Sequence, residues 1–465
     1  MVEPGLLSLL AARRATAARA WSLGRGAVIV PAGLPVPIAG TDQFHDYHAH
    51  PEHYYLSGAT VTAAVLAFDP GEGWSLFAPV ASQEERVWIG DTEPLESISA
   101  RTGIERVEPL SGLQQWLERR RGEPFALIGN DDFRHHPEGY QVSNFAALEL
   151  DFDDHLADRL SEAVAELRRA KDGAELEYMR AAAEASRRGH LTGIRSVRPG
   201  MTERDLQIEI EAEFFRAGSL RTAYGSIVGS GPNGAVLHFS PTSRVMREGE
   251  IVLVDAGAEY EGYASDVTRT FPVGPRFVGI QRDLYQLVHE VQSTAIEAAR
   301  PGREYRELHL EASRGIASGL VDLGILRGDP QDLVDHDVAA LFFPHGLGHM
   351  LGLATHDAGG CLAGRERSDR PTLQYLRADL PLQPGYVVTI EPGIYFIRAL
   401  LTDPGRRGEF RDAVNWEKVD ELLDFGGIRI EDDVLITESG NEVLSGALPS
   451  TIGEIEALRQ EGLDL

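Results

Sequence analysis

The chain has 465 residues, too many for one ordinary core, so two domains are expected. Acidic residues exceed basic ones by 28 and no basic stripe is visible, which argues against a nucleic-acid partner held through its phosphates. With 43% apolar residues and no run long enough to span a bilayer, the composition is that of a globular protein kept dispersed by its charge, with no membrane partner expected.

The single cysteine, Cys361, rules out an intramolecular disulfide framework and fits a reducing compartment, so the cytoplasm is the expected location. The start, Met1-Val-Glu-Pro, carries an acid where a signal peptide carries lysine or arginine, and Arg13 and Arg14 close a short apolar stretch, suggesting an amphipathic helix. From there to about residue 155 the pattern predicts a mixed α/β unit. Its expected strands are Ala27 to Val30, Val61 to Phe68, Ser75 to Phe77 and Phe125 to Ile128, separated by Gly, Pro and Asp turns. The segment Phe44 to Gly58 holds four histidines, His45, His48, His50 and His53. A metal site there is one reading; a loop face or the edge of a substrate pocket is the commoner outcome for such a cluster.

Near Asp151 the composition shifts to Ala, Glu, Arg and Leu with helical spacing that lasts to Ser196, which divides the chain into domains 1–155 and 156–465. A second helix should open after Pro199-Gly200, with Thr202 as N-cap, Asp205 three residues on, and Leu206, Ile210 and Phe214 as one apolar face packed in the core. Beyond residue 220 glycines increase. Tyr224-Gly-Ser-Ile leads to Val236-Leu-His238, and a helical interval from about Gln281 to Leu326 precedes Phe343-Pro-His345-Gly-Leu-Gly-His349 and His356-Asp. Two strand-like runs follow, Val387-Val-Thr-Ile-Glu391 and Gly426-Gly-Ile-Arg429-Ile-Glu431. Each sets a carboxylate inside an apolar run, an expensive placement without a partner.

Between these segments lies Ile251-Val-Leu-Val-Asp255-Ala-Gly-Ala-Glu-Tyr-Glu-Gly-Tyr-Ala-Ser-Asp266-Val-Thr268, which reads as a hairpin. A two-residue turn at Tyr260-Glu261 would set Asp255 directly opposite Asp266, about 5 Å away, where like charges destabilise unless a cation separates them. Asp255, Asp266, His349, Glu391 and Glu431 together make four carboxylates and one imidazole, with no thiolate. Such an oxygen-rich set suits Mn(II), Fe(II) or Co(II) better than a structural zinc site. Four negative charges balance two divalent ions, so a two-metal centre with a bridging hydroxide is the economical expectation. The zincin helix shares the spacing of His345 and His349, but Gly346 stands where its glutamate would be. Period-two alternation places Arg429 on the face of Glu431 and Thr268 on that of Asp266, where each could support its neighbouring carboxylate.

Asp255-Ala-Gly with Asp266-x-Thr268, His345-Gly-Leu-Gly-His349, Thr389-Ile-Glu391-Pro-Gly and Arg429-Ile-Glu431 match, in order and spacing, the metal-dependent peptidases of the pita-bread fold. From roughly Ala170 to Ala457 the chain resembles that family, which includes prolidase, aminopeptidase P and methionine aminopeptidase. The resemblance implies an α/β (α+β) protein with a C-terminal pita-bread metallopeptidase domain and a smaller N-terminal mixed α/β domain. Through Tyr54-Tyr-Leu-Ser-Gly58 and Val87-Trp88-Ile-Gly90 the latter resembles the N-terminal domain of creatinase and aminopeptidase P. It further implies that Asp255 chelates one metal, His349 and Glu391 the other, and that Asp266 and Glu431 bridge two divalent ions, Mn(II) first and Co(II), Fe(II) or Zn(II) as alternatives. His345, Arg429 and Thr268 then support the ligands.

Three more positions match substrate-side residues of the family. His238 and His356 would line the pocket and take part in catalysis, with His356 holding the tetrahedral intermediate, and Arg377 would grip the free carboxylate of a short peptide. Glu391 would carry the proton to the leaving nitrogen, and Trp88 matches a position that reaches the partner subunit's pocket in some dimeric relatives. Leu351-Gly-Leu-Ala-Thr-His-Asp, the insertion holding Asn415-Trp-Glu-Lys-Val, and Phe425-Gly-Gly-Ile-Arg-Ile-Glu are most similar to prolidase. The expected activity is therefore cleavage of Xaa-Pro dipeptides by a homodimer. An Xaa-Pro aminopeptidase acting on longer peptides is the first alternative, and a catalytically silent peptide-binding module the second.

Overall fold

The computed structural model describes residues 4–129 and 152–464; Met1 to Glu3 of the expected first helix, and Asp151, lie outside the described residues. The chain divides into two compact units, Met1–Arg168 and Arg169–Leu465. This division falls at the last residue of the helix Asp154–Arg169, where a boundary near residue 155 was expected; the helix is tied to the first unit, since Trp21 Nε1 donates to the Leu160 carbonyl (3.1 Å) and the Tyr55 hydroxyl to that of Leu167 (3.2 Å). Among the described residues no helix is long and apolar enough to cross a membrane.

The first unit is built on a mixed sheet of β1 (Ala27–Pro31), β2 (Val65–Asp69), β3 (Gly73–Ala78), β4 (Arg106–Pro109) and β5 (Phe125–Leu127), in the order β4-β3-β2-β1-β5. Ala27, Ile29, Val65, Ala67, Phe77, Phe125 and Leu127 pack against Leu113, Trp116 and Leu117 of the helix Gly112–Glu118. Three of the four expected strands fall at their expected positions. The fourth starts late, at Val65, because Ala63 takes a left-handed φ of 59° and Ala64 N–H closes a turn onto the Val61 carbonyl. Strand β4, Arg-Val-Glu-Pro, is a half-buried edge with a single apolar side chain besides proline, too little for a hydrophobic pattern.

The second unit opens with the helix Gly173–Ser196, capped by Asp172, and the helix Glu203–Arg216, where Thr202 and Asp205 form the expected reciprocal cap. Leu206, Ile210 and Phe214 are buried. They lie so close to the first helix that a Cβ on Gly189 would stand 2.3 Å from the Phe214 ring and one on Gly193 2.8 Å from Ile210. The expected helical interval is two helices, Ile280–Ala298 and Tyr305–Asp322, because Pro301 and Gly302, with φ of 82°, interrupt it.

The strands of this unit are β6 (Arg221–Thr222), β7 (Ile227–Ser230), β8 (Ile251–Asp255), β9 (Ala258–Tyr260), β10 (Tyr263–Ala264), β11 (Thr268–Pro272), β12 (Gly360–Cys361), β13 (Ala378–Asp379), β14 (Val387–Ile390), β15 (Gly393–Tyr395), β16 (Gly427–Arg429), β17 (Asp432–Ile436) and β18 (Asn441–Val443). They form small sheets ordered β11-β8-β7, β10-β9-β6, β14-β17-β18, β15-β16 and β12-β13. The hairpin turn is Glu261-Gly262, not Tyr260-Glu261, since Tyr263 pairs with Tyr260. Both turn residues have positive φ, 49° and 84°, the geometry that matches strand twist and favours glycine. Thr268, not Asp266, therefore stands opposite Asp255. The shift is two residues, so the alternation of faces survives it. Single antiparallel bridges, Thr268 to Glu431 and Met350 to Val388, draw the β16–β17 junction to β11 and the His349 segment to β14.

In the first unit His53 is fully buried, with Nδ1 2.8 Å from the Val30 carbonyl and Nε2 without a partner among the described residues. Burial, opposed by that bond and reinforced by His50, lowers its pKa from 6.5 to about 4. Between those values the unfolded chain binds a proton that the folded chain refuses, so unfolding free energy should fall as pH drops through this window. For this one group the slope is at most about 1.4 kcal/mol per pH unit. Denaturant titrations across the window should give a shallower fall for His53→Gln, whose amide can still donate to Val30, than for the parent; equal slopes would remove His53 from the account.

Candidate metal centre

Each expected ligand sits where a strand ends or a loop is pinned to one. Asp255 closes β8; its Oδ1 accepts from the Tyr224 hydroxyl (2.6 Å) and its Oδ2 from Arg429 Nη2 (2.5 Å). Asp266 lies just before β11, with its backbone N–H donating to the Asp433 carboxylate (3.1 Å), which also accepts from the Ser265 hydroxyl (2.8 Å). His349 is held by two backbone bonds to Thr389, one through the threonine hydroxyl. Its Nδ1 faces the Met350 carbonyl at 3.0 Å, so Nδ1 carries the hydrogen and Nε2 points to Asp266 Oδ2 (3.3 Å) and Glu391 Oε1 (3.7 Å). Glu391 follows β14 directly, and Glu431 sits between β16 and β17, its Oε2 accepting from the Thr268 hydroxyl at 2.6 Å.

Ligand atoms of Asp266, His349 and Glu431 lie within 4.8 Å of one another, the cluster of metal-ligating groups found among the described residues. Asp255 and Glu391 line the same cavity of about 1230 Å³. Electrostatics fit a cation. Burial pushes Glu431 well above the ordinary carboxylate range, with Asp266, Glu391 and Asp255 adding to it. Burial likewise raises Glu391 to about 7, against the pull of His349 and Arg429. On His349 burial acts the other way, yet Asp266 and Glu391 outweigh it and lift the imidazole to about 9. The protein thus collects protons at the place where divalent ions would neutralise the same charges, and the donor set of carboxylate oxygens and one imidazole nitrogen suits them.

The supporting shell differs in detail from expectation. Arg429 reaches Asp255 directly and Glu431 only through Thr268, whose hydroxyl accepts from Arg429 Nε (3.1 Å) and donates to Glu431. Thr268 therefore serves Glu431, not Asp266, as its place opposite Asp255 and its bridge to Glu431 require. Arg429 also donates to the Tyr395 hydroxyl (2.7 Å), which lies 2.8 Å from His345 Nε2. Burial first, then the Arg429 charge, lowers His345 to about 3, so it is neutral. Sequence reasoning missed Tyr224, Tyr395 and Asp433. Tyr395 lies two residues beyond the motif Thr389-Ile-Glu391-Pro-Gly, and three consecutive acids at Glu431-Asp432-Asp433 in an apolar run were a signal; Tyr224 meets Asp255 only through tertiary packing and left none.

His238, His356 and Arg377 line the cavity, all three exposed on its wall. The His356 ring stands edge-on to His349, with centroids 4.5 Å apart. Trp88 belongs to the first unit, on the short helix Glu85–Ile89, and is 78% exposed. In the histidine-rich segment His53 is a buried structural residue and His45 is exposed.

Residues 177–438 match metallopeptidase family M24 and residues 10–123 match the aminopeptidase P N-terminal domain. The chain is 34% identical to the Xaa-Pro aminopeptidase of Escherichia coli K12, over 94% of its own length and 93% of that protein's. The solved structure of Pseudomonas aeruginosa aminopeptidase PepP is similar over 100% of both chains, with a TM-score of 0.80 and 31% identity. That of E. coli aminopeptidase P with the inhibitor Pro-Leu is similar over 99% of both, with a TM-score of 0.80 and 30% identity. The protein thus pairs an aminopeptidase P-type N-terminal domain with a C-terminal pita-bread domain. The expectation of prolidase as the nearest likeness gives way to the Xaa-Pro aminopeptidases. The metal-binding blocks are common to both kinds of enzyme and do not tell them apart; the relatives similar along the whole chain are Xaa-Pro aminopeptidases.

Because His349, lifted to about 9, holds a proton near neutral pH in the metal-free centre, and burial favours the protonated forms of Glu391 and Glu431, a cation must expel protons to bind. Calorimetric titration with Mn(II) at pH 7, in buffers of different ionisation enthalpy, should report release of at least about one proton per protein. Heats that do not depend on the buffer would contradict this charge assignment.

Proposed function

The chain belongs to metallopeptidase family M24, and on that footing we propose that it is an Xaa-Pro aminopeptidase, freeing the N-terminal residue of peptides whose second residue is proline. The observation that carries this reading is the cavity above the carboxylate cluster. At about 1230 Å³ it exceeds the roughly 300–1,000 Å³ of pockets that enclose a drug-sized molecule, leaving room for chain beyond the proline.

Asp255, Asp266, His349, Glu391 and Glu431 would hold two divalent cations, Mn(II) by preference. Cations bound there supply Lewis acidity and make water a nucleophile near neutral pH. Hydrolysis removes a proton from the attacking water and delivers one to the proline nitrogen as the C–N bond breaks. Glu391, a carboxyl group facing the cavity, is assigned that transfer. Partial desolvation at the cavity wall, with the charges of His349 and Arg377, lowers His356 to about 4, so it is a neutral donor for the oxyanion. His238 orients the peptide from the wall, and Arg377 pairs with an anionic group downstream of the proline. Arg429, directly on Asp255 and through Thr268 on Glu431, and His345, through Tyr395 and Arg429, keep the ligands in register. Trp88 is assigned to the contact between subunits of a homodimer.

Enzyme stripped with chelator and reloaded with Mn(II), Co(II) or Zn(II) should release alanine from Ala-Pro-Ala faster than from Ala-Pro. A preference for the dipeptide would return the assignment to prolidase, and no cleavage by any loaded form would leave a peptide-binding module. In Glu431→Ala, bound metal should fall and turnover drop by roughly 100-fold or more; parental activity in that variant would end the proposal.

A further inference from the structure

Of the 44 basic residues in the chain only two are lysines, Lys171 and Lys418. Lys171 is buried: its side chain is 1% exposed and pairs at 3.0 Å with Asp357, itself 2% exposed. The slot is tight, since a Cβ on Gly352 would stand 2.2 Å from Asp357 Oδ2 and 2.8 Å from Lys171 Cε. The ammonium held there is more compact than the guanidinium used almost everywhere else in this chain.

The pair ties together two parts of the cavity. On one side, Lys171 N–H donates to the Gly385 carbonyl (2.8 Å) and Ala170 bridges to Tyr386, at the entry to β14 and hence to Glu391. On the other, Asp357 directly follows His356, and its N–H closes the loop onto the Met350 carbonyl (2.9 Å). Arg169 adds bonds to the carbonyls of Ala358 (3.3 Å) and Gly359 (2.9 Å), and Gly360 N–H reaches the Arg377 carbonyl (2.9 Å). We infer that Arg169–Lys171 is a clasp, closed by the Lys171–Asp357 ion pair, that positions His356 and Arg377 against the strand carrying Glu391. Lys171 and Asp357 are positioning residues, and their role rests on the aminopeptidase reading above.

The test compares Lys171→Met, Lys171→Arg and the double variant Lys171→Met/Asp357→Leu with the parent, all full-length and loaded with Mn(II). Lys171→Met removes the ammonium partner of a buried carboxylate and is expected to lower the thermal midpoint. The double variant removes both charges and should recover it. A clasp predicts that kcat for Ala-Pro-Ala, per metal-loaded enzyme, is at least tenfold below the parent in the double variant as well, with metal content unchanged, and that Lys171→Arg does not restore it. Parental kcat in the double variant would reduce the pair to a stabilising contact and overturn the inference. Hydrogen exchange of residues 350–360 needs no substrate: it should quicken in the double variant, and unchanged protection would also overturn the clasp. A parent that leaves Ala-Pro-Ala intact would instead refute the functional reading, while the exchange measurement still judges the loop.

Discussion

Four carboxylates buried within one cavity floor repel one another, and the surrounding fold is organised around making that tolerable. Arg429 and His349 supply positive charge, and the remaining imbalance is met by protons on Glu391 and Glu431. A buried charge left unpaired would cost several kcal/mol, so no ligand can be considered apart from the others. Divalent cations offset the same repulsion more completely, which links metal loading to the stability of the second unit.

Behind the ligands a second layer fixes where the strands lie. Arg269, only 1% exposed, donates to the carbonyls of Thr268 (3.0 Å) and Glu431 (2.8 Å) and pairs with Asp432. Asp432 is held in turn by Gln292 and Ser445 (2.8 and 2.6 Å). Asp433 grips the backbone of Asp266 from the facing side. The run Glu431-Asp432-Asp433 therefore sends three acids in succession to a cavity, a buried arginine and a neighbouring backbone. Period-two geometry alone would have paired the first with the third, but the strand β17 begins only at Asp432.

Local chemistry was legible wherever it is decided locally. The cap at Thr202 and Asp205, the apolar stripe through Phe214 and most strands of the first unit follow from spacing and short-range hydrogen bonding. The hairpin was recognised but its turn misplaced, because positive φ at Glu261 is unusual for glutamate and only Gly262 advertised the turn. The acids that line the cavity, Asp255, Asp266, Glu391 and Glu431, stood out in the sequence because acids in apolar runs are costly and so conspicuous. Tyr224 could not, since its contact with Asp255 is made only in the folded chain, and the route from Arg429 through Thr268 to Glu431 could not, since it depends on strands 160 positions apart or more meeting in space. Dipeptidase was expected and the whole-chain relatives are aminopeptidases, because the motifs that led to the expectation surround the metal-ligating residues and do not measure substrate length.

The near absence of lysine has a practical side. Lys171 is enclosed with Asp357, and Lys418 is half-buried with its amine on the Leu323 carbonyl. Side-chain amines are thus almost unavailable for acylating dyes, cross-linkers or surface immobilisation, while 72 carboxylates are plentiful. Conjugation through activated acids, or through the lone thiol at Cys361, is the chemistry this molecule is disposed to accept.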